Sequence, residues 1–285
     1  MLKLLKQART ALTHLNPEEV RKRTRQPVHI GLVAPTSTEY AEMESFLIPP
    51  GLSHEKRMEL MGLVHRAGDP GVPDKVDLVL YYEGIPGPKG TYTYHPDDWD
   101  ATGREILDGN DDISLALARQ FPLFRKPVVE QIVHAVAREN ALFAMATALP
   151  DVIPNLMELP WVFGEWASDT AFLTANQVRM AFMIGAACDR EVGFAEQKLE
   201  ILSIGGSAFG WRALARELVG KIPLGGGLIP KGAIAYAGTF VMGKGLEYLY
   251  HANAALPEDE RKGVYQQALE RGRAVAGSMI PALKR

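Results

Sequence analysis

Residues 28–48, VHIGLVAPTSTEYAEMESFLI, pass from an apolar run through a polar turn into helical spacing, which is where a phosphate-binding loop sits in a nucleotide-binding domain. Such a loop needs G-x-x-x-x-G-K-[ST]: its glycines let backbone N–H groups close around phosphates, the lysine neutralises charge and the hydroxyl holds magnesium. Here Gly31 is the only glycine of the stretch and lies inside the apolar run, while Glu39 and Glu42 arrive where phosphates would. A helix N-terminus still offers free N–H donors and a positive dipole end, and Ser37 or Thr38 is placed to cap a helix starting at Glu39. Capping is the simpler use of this turn. The second glycine-rich stretch, residues 222–245, sets Lys231 between Pro230 and Gly232 with no hydroxyl partner. Its Ala233, Ala235, Ala237, Gly238 and Gly243 instead suit two helix backbones approaching closely.

Other chemistry-bearing patterns are missing. The seven histidines form no H-E-x-x-H, Cys188 is the single cysteine, and no serine sits in a G-x-S-x-G elbow, Ser207 of GGSAFG reading as a helix start. Glu130 and His134 read as an ordinary helical surface pair. No metal, cofactor or catalytic residue is therefore assigned, and the reading leans away from an enzyme.

The richest polar signal lies in residues 167–188, ASDTAFLTANQVRMAFMIGAAC. At 100° per residue Asp169 and Asn176 fall within about 20° of one another and Arg179 about 80° further round, on a helix that is otherwise apolar. A buried charge needs a partner, found within this helix cluster or on the segment carrying Arg212, Arg216 and Glu217. The first reading is a polar network that fixes how helices register; a ligand pocket and a protein contact surface are the alternatives.

These residues must be positioned by two kinds of structure. Residues 1–26 predict a basic amphipathic segment, with Leu2, Leu5, Ala8, Leu12 and Leu15 at helical spacing, Pro17 opening a second turn, and Arg21, Lys22, Arg23 and Arg25 in a linker. Residues 27–126 alternate strand-length runs, VHIGLVA and VDLVLYY, with helical stretches, EYAEMESFL and SHEKRMELMGLVHRAG. That alternation predicts a small α/β domain with a mainly parallel sheet. A long loop, EGIPGPKGTYTYHPDDWDATG, follows, and then two short helices, the second capped by Asp111 or Asp112. Residues 127–285 predict an all-α bundle, with helices at 127–149, 154–165, 167–188, 194–204, 207–219, 230–252 and 257–279.

Hydrophobic residues make up 47% and charged residues 23%, with a net charge of −3, so nothing steers the chain toward nucleic acid. One cysteine suits a reducing compartment, and the basic start lacks the apolar core and cleavage site of a secretory signal. Residues 222–243 hold only Lys231 as a charge but include Pro223 and Pro230, so no window is a clean membrane span. A mean hydropathy of −0.06 favours a bundle that is cytoplasmic or peripheral at the inner membrane, with an integral one left open.

Taken together, ENALFAMATALPDVIP, FLTANQVRMAFMIGAACDR and GWRALARELVGKIPLGGGLIPKGAIAYAGTFVMGKG make residues 127–255 resemble the bacterial helical module called domain of unknown function 697. The features carrying the resemblance are Asp169, Asn176, Gln177, Arg179 and Met180, the Arg212–Arg216 helix, the Ile222-Pro223 turn and Ala237-Gly238-Thr239. That module often follows a small GTPase domain and is frequently labelled a membrane protein. The resemblance implies a degenerate GTPase-like domain at 27–126. It carries over no catalytic residue, because the chain has no phosphate loop, no N-K-x-D and no D-x-x-G after its second strand. The expectation is a non-enzymatic interaction or scaffold protein with a protein partner, the helical module as its binding element, and Asp169, Asn176, Gln177, Arg179, Arg212, Arg216 and Lys231 as network or contact residues. Self-association and peripheral membrane contact remain open. The alternatives are a nucleotide-dependent switch with an unconventional phosphate loop and a small-molecule or lipid pocket within the helices.

Overall fold

The structure is a computed structural model and describes residues 15–147, 169–204 and 227–283. It separates into an α/β unit, Glu19–Val129 with Ala186–Arg190, and a helical unit built from Met1–Glu18, Glu130–Gly185 and Glu191–Arg285. The expected class, a small mainly parallel α/β layer followed by a helical bundle, is what the chain adopts.

Pro17 opens α1 (Pro17–Arg25), so Arg21, Lys22, Arg23 and Arg25 lie on a helix and not in a linker. The helix is anchored by Thr24, which is buried and whose hydroxyl donates back to the Val20 carbonyl at 2.9 Å. The amphipathic stretch expected at residues 2–15 falls almost wholly outside the described residues.

Four strands, β1 (Ile30–Val33), β2 (Val64–Arg66), β3 (Leu78–Tyr82) and β4 (Tyr92–Tyr94), form one all-parallel sheet in the order β2-β1-β3-β4. Alternation decides the faces: Ile30, Leu32, Leu78 and Leu80 are buried while the residues between them are partly exposed. Met43, Phe46 and Leu47 of α2 (Ser37–Leu47), Leu60 of α3 (His54–Met61) and Ile106 and Leu107 of α4 (Trp99–Asp108) complete this core.

Two of these strands differ from the sequence expectation. Residues 53–68 do not form one helix: α3 stops where the Gly62 N–H caps the Met58 and Glu59 carbonyls, and β2 follows at once. β4 lies inside the segment expected to be a loop. The cap of α2 is also one residue earlier than expected. Thr36 accepts from the Thr38 N–H at 3.2 Å and its hydroxyl donates to the Glu39 carboxylate, so the helix starts at Ser37. In α5 (Ser114–Gln120) neither Asp111 nor Asp112 caps with its side chain; Ile113 holds the cap position and the Ser114 hydroxyl donates to the Asp111 carbonyl.

Ala186–Arg190 join the α/β unit through Asp189, held at φ 59°, a left-handed conformation that aspartate tolerates. Its carboxylate faces Lys56 at 3.2 Å, Arg119 at 3.5 Å and Arg125 at 3.7 Å.

In the helical unit α6 (Arg125–Ala146), α7 (Asp169–Ala187), a stretch at 198–204, α8 (Leu228–Ala252) and α9 (Glu258–Leu283) are helical. The stretch expected from 194 therefore begins at 198; the helices expected at 154–165 and 207–219 lie outside the described residues. Pro230 sits in the first turn of α8, where a missing N–H costs no helical bond. The small residues of α8 do what their spacing suggests. A side chain on Gly272 would lie 2.9 Å from the Ala233 carbonyl oxygen, one on Gly232 2.7 Å from the Met145 sulfur, and one on Gly243 would strike Val133. Among the described residues no helix is long and apolar enough to cross a membrane.

Because Gly272 meets backbone that cannot swing aside, Gly272→Val should destabilise the fold by about 1–3 kcal/mol. Gly277, on the same helix with nothing near its Cα hydrogen, should accept alanine with no loss or a gain of up to about 1 kcal/mol. Urea unfolding of the two variants compares them directly.

Candidate functional site: the edge of the parallel sheet

In an open parallel sheet ligands gather outside the carboxyl ends of the strands, where the strand order reverses, here between β1 and β3. The groups found there are carboxylates and phenols. Glu42 of α2 accepts from the Tyr82 hydroxyl at 3.2 Å and the Tyr94 hydroxyl at 3.1 Å, and the Trp99 indole donates to Tyr94 at 3.0 Å. Burial, then the Glu42 charge, raises the pKa of both phenols, so they stay protonated donors. Beyond them His95 meets Glu83 at 3.1 Å and Glu105 at 3.7 Å. Glu39 is turned back onto its own cap. Glu42 is satisfied by neutral donors, and this end of the sheet presents negative charge.

The other feature of this unit is its edge. The bonds Ile30 N–H to Leu63 C=O and Ala67 N–H to Leu32 C=O, each near 2.8–2.9 Å, turn residues 63, 65 and 67 toward β1. Val64 and Arg66 therefore direct their backbone groups away from it. The Arg66 carbonyl is taken by the Asp69 N–H at 3.2 Å. The Val64 N–H and C=O and the Arg66 N–H face outward, and among the described residues no further strand pairs with β2.

Beside that edge α2 and α3 bound a groove of about 530 Å³, lined by Glu44 of α2 and Ile48 just past its end, Arg57 and Met61 of α3, and Val64, Arg66 and Asp69. Arg66 is locked by a two-pronged pair to Glu44, at 2.5 and 2.8 Å, and lies over the Tyr40 ring at 5.4 Å. Arg57 and Asp69 make no ion pair with the described residues. Met58 and Met61 are 55% and 56% exposed on α3. Flexible methionines on a surface suit contact with another chain.

The residues singled out from sequence lie elsewhere, in the helical unit. Asn176 is buried and donates to the Asn140 carbonyl oxygen at 2.9 Å, and Asn140 donates to the Thr239 hydroxyl at 2.8 Å, joining α7, α6 and α8. Gln177 is buried beside Asn176, whereas Lys231 is exposed on α8. Arg179 pairs with Glu139 of α6, with both side chains more than a third exposed. That partner was legible neither in spacing nor in the segment around Arg212. Asp169 begins α7, but its side chain, like Arg212 and Arg216, lies outside the described residues. Asn140 and Thr239 were missed because an amide and a hydroxyl in apolar helices carry no signal until the helices are placed. His134 was also misread. It does not pair with Glu130, but bonds Tyr236 and Arg271.

Among the described residues no three histidine, cysteine, aspartate or glutamate side chains cluster as a metal site. No protein-family profile, curated protein or solved structure matches this chain.

Asn140→Ala should cost about 1–3 kcal/mol, because it strands the Asn176 amide and the Thr239 hydroxyl in an apolar core. The triple change Asn140→Ala, Asn176→Ala, Thr239→Val should cost less than the sum of its parts in guanidinium unfolding.

Proposed function

We propose that the chain is a non-enzymatic interaction protein that receives an extended segment of a partner protein along β2. The single observation supporting this is the outward row of Val64 and Arg66 backbone groups beside a groove lined by the exposed Met61. A segment laid there pairs with the backbone of β2 as a fifth strand, and its alternate side chains enter the groove. Arg57 and Asp69 then select a segment that carries one acidic and one basic residue. β2 carries no proline, and its arginine, Arg66, is held by Glu44.

Within this proposal the α/β unit is a degenerate nucleotide-hydrolase-like sheet that has kept its scaffold and lost its phosphate chemistry. Glu39 and Glu42 stand in the first two turns of α2, beside the strand ends where phosphates would need donors. The kinship of residues 127–255 with the helical modules that accompany GTPase domains belongs to the same proposal, and the helical unit serves it as a second contact element.

A photo-crosslinking amino acid at Met61, introduced in cells, should yield a discrete adduct with another protein. Val64→Pro should abolish it, because proline on an edge strand spares the bonds to β1 while removing the outward N–H. An absent adduct, or one that survives Val64→Pro in a folded protein, overturns the proposal.

A further inference from the structure

The helical unit contains a cleft of about 300 Å³ between α6, α8 and α9. It is built outward from the core. Tyr236 is fully buried, and its hydroxyl oxygen lies 2.7 Å from His134 Nδ1. The other ring nitrogen, Nε2, lies 3.1 Å from an Arg271 guanidinium nitrogen. A guanidinium can only donate, so Nε2 accepts, the ring proton is on Nδ1, and Nδ1–H donates to Tyr236. Burial first, then the Arg271 charge, lowers the His134 pKa and keeps the ring neutral. Tyr236 thus fixes His134, and His134 fixes Arg271, whose guanidinium carbon is 5.8 Å from the centre of the Phe240 ring.

The charges around the cleft are unevenly placed, with both carboxylates on one cation. Lys244 is matched by Glu247 at 2.8 Å and Glu130 at 3.4 Å. Arg271 has no carboxylate partner among the described residues; its partners there are an imidazole, a phenol and a ring face. An arginine placed only for stability gains most from a carboxylate. This one is instead held in a single orientation by a neutral ring, with donors left over, beside an apolar wall of Phe240, Val264 and Ala268.

We infer that this cleft binds a small carboxylate with an apolar or aromatic body, its carboxylate on the Arg271 fork and its body against Phe240. The volume is at the lower end for small-molecule pockets, which limits the ligand to a compact acid. Arg271 is the binding residue, and His134 and Tyr236 position it. The site lies wholly in the helical unit, and the inference is independent of the sheet-edge proposal.

Calorimetric and ligand-observed NMR titrations of the full chain with phenylacetate, octanoate and the neutral analogue phenylacetamide test this. At least one of the two carboxylates should bind, and phenylacetamide should bind about tenfold or more weakly than phenylacetate. Arg271→Gln, at an exposed position that leaves the fold intact by circular dichroism, should abolish binding. Arg271→Lys should restore only part of it, because lysine keeps the charge and loses the fork. His134→Phe, which frees Arg271 without removing it, should weaken binding while leaving the preference for carboxylate over amide. Failure of both acids to bind at millimolar concentration, equal affinity for the amide, or binding unchanged by Arg271→Gln overturns the inference.

Discussion

The helical unit depends on the closeness of α8 to its neighbours. Where α8 meets α9, Gly272 lets a helix backbone rest against the Ala233 carbonyl; where it meets α6, Gly243 leaves room for Val133. Backbone approach of this kind forgoes the burial of large side chains but gains dense dispersion contact along the helices. It also decides which polar groups can reach one another. Asn140 meets Thr239 because the α6 and α8 axes are near enough for short side chains to touch, and the longer pairs His134–Tyr236 and Lys244–Glu130 span the same two helices. Both the buried amide chain and the charged cleft therefore follow from side chains that are absent.

The α/β unit shows a different constraint. A parallel sheet presents the carboxyl ends of its strands together, and what the chain puts there sets what the unit can bind. Here Thr36 and Glu39 satisfy each other at the first turn of α2, and Glu42 accepts hydrogen bonds from the hydroxyls of two tyrosines. Those bonds place carboxylates at the helix start and strand ends, the region that holds phosphates in nucleotide-binding sheets. Outward-facing backbone groups lie instead at the side of the sheet, at β2, one of its two edge strands.

The fold class was legible because its carriers are long or strongly patterned: VHIGLVA and VDLVLYY alternate as strands, and α6, α7, α8 and α9 each run for several turns. β2 and β4 were not legible. Each has three residues, too few to show a period of two, and each borrows its identity from the neighbour it pairs with. The same limit governs the sites. Asn176 stood out because it interrupts an apolar helix, but its partner Asn140 is 36 residues away along the chain, and Asn140 in turn bonds Thr239 across 99 residues. The pairing of His134 with Arg271 spans 137 residues, and a nearer carboxylate, Glu130, offered a plausible wrong partner. Spacing reports neighbours on one helix and is silent about neighbours across a bundle.

The Asn176–Asn140–Thr239 chain has a consequence for how the bundle finds its shape. Surfaces made of alanine and glycine are smooth, and smooth helices can slip past each other by a turn, about 5.4 Å, with little change in apolar contact. Such a slip would leave these three polar groups facing hydrocarbon. Three ordinary uncharged side chains thus exclude the shifted alignments that the small residues alone would permit.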